Sequence, residues 1–137
     1  MRRLLGLTAT VAIALAACAG PSATASPLTP SPALNVANAT TVPVAIAVNG
    51  TVLETVPVGA TEVPIKAALP ALPWTVEARS PSGRVLATLT VSAADDISAT
   101  TSVGAFEHLA CGQLDLWAGG PRGDAPIPSL ASPKPCD

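Results

Sequence analysis

Val42-Pro43-Val44-Ala45-Ile46-Ala47-Val48-Asn49-Gly50-Thr51-Val52-Leu53-Glu54-Thr55-Val56 is the stretch whose reading decides the fold. Two runs rich in β-branched residues flank an Asn-Gly pair. That pair is preferred in a type I′ hairpin turn, because both central residues need positive φ and the turn matches the twist of its strands. A two-residue loop places Val48 opposite Thr51, Ile46 opposite Leu53 and Val44 opposite Thr55. Ala45, Ala47, Val52, Glu54 and Val56 then share the other face. Pro43 has no amide hydrogen to give a ladder, so it marks a strand start or an edge.

The same period of two recurs on both sides of this hairpin. Leu34 and Val36 alternate with Asn35 and Ala37. Glu62-Val63-Pro64-Ile65 reads as a short strand after the turn at Gly59. Trp74 to Arg79 alternates, with Trp74, Val76 and Ala78 on one side. The turn Ser80-Pro81-Ser82-Gly83 leads to Arg84–Val91, where Val85, Ala87, Leu89 and Val91 share a face and Leu86 opposes them. Thr100–Cys111 and Gln113–Trp117 complete the set. About seven short strands with frequent turns predict an all-β, antiparallel two-sheet sandwich. Its character is immunoglobulin-like and fibronectin-like in general, without a Cys…Trp…Cys spacing. The sandwich is expected over residues 34–117, with an irregular Gly- and Pro-rich tail over 118–137.

The N-terminus follows different rules. Arg2 and Arg3 precede an apolar run from Leu4 to Ala17, and Leu15-Ala16-Ala17-Cys18 closes it. The run is shorter than the roughly 20 apolar residues of a transmembrane helix. A basic start, an apolar centre and small residues at a cleavage point make a secretory signal. The order aliphatic–small–small–cysteine resembles the lipobox of bacterial lipoprotein precursors. The resemblance implies a signal peptide over residues 1–17 and a lipid on Cys18, facing outward from the cell membrane. Residues 18–33 then form a spacer of Pro, Ser, Thr and Ala. Pro21, Pro27, Pro30 and Pro32 keep it extended. At about 3.1 Å per residue it reaches at most roughly 45 Å.

The chain carries 7 Lys and Arg against 9 Asp and Glu. Loss of Arg2 and Arg3 with the signal leaves five cations and a net charge of −4. Such a chain is not built to seek nucleic acid by charge. With Cys18 assigned to the lipid, Cys111 and Cys136 remain as an even pair. In an oxidising compartment they are expected to form a disulfide.

Residues able to do chemistry are few. His108 is the single histidine, so a histidine-dependent enzyme must bring carboxylates to it. No nucleophile elbow surrounds a serine, and the ligand types for a metal centre are too sparse. No cofactor motif is present. Asp95-Asp96 reads as a solvated loop, and Glu54, Glu62, Glu77 and Glu107 fall on predicted strands. Arg122-Gly123-Asp124 matches a short adhesion tripeptide, and Asn38-Ala39-Thr40 and Asn49-Gly50-Thr51 match a glycosylation sequon. Asn49 is already explained by its turn. Trp74 and Trp117 are the candidate aromatic platforms for a glycan or small ligand, and Arg79 and Arg84 are candidates for an acidic partner. The expectation is a non-catalytic envelope module that contacts a protein or polymer. A ligand-binding module and a His108-based enzyme are the alternatives.

Overall fold

The computed structural model describes residues 31–122 and 134–137. Cys18, the signal segment and the Gly123-Asp124 pair lie outside these residues. The described chain is all β. Its strands are β1 (Leu34–Thr40), β2 (Val44–Val48), β3 (Thr51–Val56), β4 (Ala60–Pro64), β5 (Trp74–Arg79), β6 (Val85–Val91), β7 (Ser102–Leu109) and β8 (Gly112–Gly119). Eight strands thus stand where about seven are predicted. The last runs two residues beyond Trp117. They form two antiparallel four-stranded sheets, ordered β4-β1-β8-β7 and β3-β2-β5-β6.

Between the sheets lies an aliphatic core. Leu34 and Val36 of β1 meet Leu114 and Leu116 of β8 on the first sheet. Val44, Ile46 and Val48 of β2 join Val76, Ala78, Leu89 and Val91 on the second. Fully burying one Val, Leu or Ile side chain is worth about 1.5–3 kcal/mol. Alternation therefore fixes which face of each strand points inward.

Asn49 (φ 51°) and Gly50 (φ 83°) take the left-handed backbone that the hairpin requires. Val48 opposes Thr51 as predicted. Beyond that pair the expected register fails. Leu53 is an extra residue, so Ile46 opposes Glu54 and Val44 opposes Val56. The bulge has a clear gain. A straight ladder would set Thr55 against Val44 and turn Val56 outward. The slip instead buries Val56 completely against the core. A second bulge at Leu86, where Ala78 opposes Ala87 and Arg79 opposes Val85, turns Leu86 inward and leaves Val85 exposed.

The sandwich has two unlike ends. At one, β1 passes into β2, and the tail closes the structure. Asn38 is fully buried there. Its amide nitrogen donates to the carbonyls of Val42 (3.0 Å), Val56 (3.2 Å) and Pro57 (3.2 Å). Its Oδ1 accepts from the Thr40 amide (3.1 Å) and hydroxyl (2.7 Å). One side chain thereby ties β1, the β1–β2 corner and the end of β3. Cys111, in the β7–β8 turn, is bonded to Cys136, with Cα atoms 5.1 Å apart. Nearby, the Lys134 amide donates to the Ala110 carbonyl (2.9 Å), and Arg84 donates to the Cys136 carbonyl (3.1 Å). Asp137 accepts from the Ser82 hydroxyl (2.6 Å). The tail therefore links the β7–β8 turn of one sheet to the β5–β6 turn of the other.

Candidate functional site

The opposite end is where the chain enters at Leu34 and where β8 finishes. A cleft of about 840 Å³ opens here. That volume lies within the usual range of small-molecule sites, about 300–1,000 Å³. Its walls are five chain segments: Pro32 and Ala33 leading into β1, Glu62 of β4, Leu72 before β5, Ile97 and Ser98 between β6 and β7, and Gly119 to Pro121 at the end of β8. Ser31, Asn35, Glu62, Asp95 and Ser98 supply its polar side chains.

Local hydrogen bonding decides which groups face the opening unused. The Gly119 amide donates to the Ala33 carbonyl (2.9 Å), and the Gly120 amide donates to the Ser98 carbonyl (3.0 Å). The Ser98 amide donates to Thr101 (3.0 Å). Asn35, only 6% exposed, donates through its amide nitrogen to the Gly119 carbonyl (3.3 Å). Pro32 and Pro121 have no amide hydrogen. Asp95 accepts from the Ser92 amide (2.6 Å) through one oxygen, which shapes the β6–β7 loop. The sequence predicts a loop whose carboxylates are merely solvated. Asp95 instead caps a turn and lines the cleft.

The residues singled out from sequence lie elsewhere. Trp74 and Trp117 are each 1% exposed, so neither offers the open ring that an aromatic platform needs. The Trp74 indole N–H donates to the Pro70 carbonyl (2.8 Å), within the core. Trp117 occupies the other face of β8, opposite in parity to Leu116. Its N–H donates to the Gly120 carbonyl (3.1 Å) where the chain turns back. Arg79 is held by Glu77, its neighbour two positions along the same face of β5 (Nε to carboxylate 2.9 Å). Arg84 is engaged with the Cys136 carbonyl. His108 is exposed on β7 and opposes Gln113, with no carboxylate bonded to it among the described residues. Nor do three His, Cys, Asp or Glu side chains gather among the described residues.

One cluster has no signal in the sequence pattern. Asp115 lies on β8, on the face turned away from the core, yet is 1% exposed. It accepts two hydrogen bonds from the Gln113 amide nitrogen (2.9 and 3.0 Å) and pairs with Arg122. The Arg122 guanidinium also lies 4.1 Å above the Phe106 ring centroid. That ring covers Gly104, where any Cβ would fall 2.6 Å from Phe106 Cζ. Arg122 thus fastens the chain after β8 to the sheet. Its guanidinium is already occupied, contrary to its free presentation in an adhesion tripeptide. Asn38, likewise, spends its amide on three carbonyls inside the fold and presents no glycosylation site.

Comparison of this chain with models of protein families, with curated proteins and with solved structures finds no match.

Proposed function

We propose that this protein is a bacterial lipoprotein whose sandwich is a non-catalytic module displayed on the outer side of the cell membrane. The observation that carries the reading is the order Arg2-Arg3, apolar Leu4–Ala17 and Leu15-Ala16-Ala17-Cys18. Two features support it. An extended spacer needs a folded domain to hold away from the bilayer, and the first strand begins at Leu34, directly after the Pro-rich segment. An oxidising compartment suits a covalent tie, and Cys111 and Cys136 are within bonding distance. The non-catalytic part rests on His108, which is exposed on β7 with no carboxylate bonded to it among the described residues. The partner in this reading is an envelope protein or polymer.

Two or three acyl chains on Cys18 make a durable anchor, since each buried methylene adds about 0.8 kcal/mol and one chain alone binds weakly. Membrane fractionation of Cys18→Ser tests this. The variant is expected to accumulate unprocessed or to leave the membrane fraction. Unchanged fractionation with normal processing would overturn the proposal.

A further inference from the structure

We infer that the cleft at the chain-entry end binds an aliphatic amine: an apolar body ending in an ammonium group. This goes beyond the anchored-module reading and does not depend on it. The ionisable side chains lining the cleft are Glu62 and Asp95, both acidic, with no Lys or Arg among the described lining residues. The nearest basic residue in sequence, Arg122, is committed to Asp115 and Phe106 on the neighbouring sheet face.

Hydrogen-bond capacity points the same way. The amides of Gly119, Gly120 and Ser98 are all donated within the protein, and the prolines supply none. The Asn35 amide nitrogen is donated to Gly119. Its Oδ1 accepts nothing from a described residue, although Asn35 is more than nine-tenths buried and lines the cleft. Among the lining side chains, the groups left for a ligand are mostly acceptors: Asn35 Oδ1, the Glu62 carboxylate and the second oxygen of Asp95, beside the Ser31 hydroxyl, which accepts as well as donates. An anion would meet two carboxylates and no lining cation, leaving those acceptors unpaired. An ammonium brings three donors and a compensating charge. Pro32, Ala33, Leu72, Ile97 and Pro121 provide the apolar wall for the attached chain.

The test is a titration of the isotope-labelled full chain, followed by amide chemical shifts, with three probes of one length: hexylammonium, 1-hexanol and hexanoate. Hexylammonium is expected to shift amides at 95–99 and 119–120 in a saturable way, and hexanoate is not. Glu62→Gln and Asp95→Asn are each expected to weaken hexylammonium about fivefold, the effect of one partly solvated ion pair. Glu62 is exposed, so its variant keeps the test valid if Asp95→Asn disturbs the loop. Saturable binding that 1-hexanol matches, binding unaffected by Glu62→Gln, or no saturable shift at the cleft would each overturn the inference.

Discussion

Replacing Asn38 with alanine tests most sharply how the closed end is held together. The side chain is fully buried, and its amide donates two hydrogens to a group of three carbonyls while Oδ1 accepts two more. Four hydrogen bonds are lost at about 1 kcal/mol each, so Asn38→Ala is expected to cost about 4 kcal/mol. Water cannot readily restore the carbonyls of Val56 and Pro57 without opening the corner. Asn38→Asp keeps the acceptor but aims a carboxylate at those carbonyls, and is expected to be at least as damaging. Asn49→Ala is the control. It also removes bonds, to Pro73 and Thr75, but at an exposed site where water replaces them. It should cost about 1–2 kcal/mol, mainly because alanine accepts the left-handed backbone of this position poorly. Urea unfolding reads these values directly. With a slope of about 1.5 kcal/mol/M, Asn38→Ala should lower the midpoint by roughly 2–3 M. A midpoint within about 0.5 M of the parent, at unchanged slope, would refute the reasoning.

Three further outcomes follow from the tail and the outer face. The Cys111–Cys136 bridge spans a separation of 25 residues, so the double variant Cys111→Ser/Cys136→Ser should lose about 3.5 kcal/mol in the chain-entropy account, read by thermal unfolding without reductant. Arg122→Ala leaves Asp115 buried and unpaired and is expected to cost about 3 kcal/mol, whereas Arg122→Ala in an Asp115→Ala background should cost much less; equal costs in the two backgrounds, measured by a double-mutant cycle, would contradict the pairing. The hydroxyls of Ser80 and Ser82 hold the Asp137 carboxyl below its ordinary 3.8 against an opposing effect of burial, with lesser help from the Ser82 amide and the charge of Arg84. A depressed acid stabilises above its unfolded pKa and loses that contribution as pH falls through the folded value. Hydrogen exchange at the Ser82 amide should therefore stay protected down to about pH 4 and rise only below it, once corrected for the intrinsic pH dependence.

Local chemistry made part of this fold legible. Asn49-Gly50 announces its hairpin because few other residues accept that backbone, and the Trp74–Arg79 alternation names its own core face. The two bulges were not legible. Leu53 and Leu86 are placed by what Val56 and the core gain from a slipped register, which is a property of the facing sheet. The same holds for the pairing of β1 with β8, whose partners Leu34 and Ala118 are joined only by the closed sandwich. The tryptophans misled for a related reason. An indole on an alternating strand reads the same whether its face is covered or open. Trp117 is met by the chain turning back at Gly120. The cleft, in turn, is assembled from five separate segments, so no single motif marks it.

In the proposed lipoprotein, Cys18 decides how the protein is held at the membrane. Protein extracted from membranes with detergent and measured intact by mass spectrometry decides the matter. The expected result is a chain beginning at Cys18, heavier than the peptide by a thioether-linked diacylglycerol. An unmodified chain, or one that still begins at Met1, would contradict it.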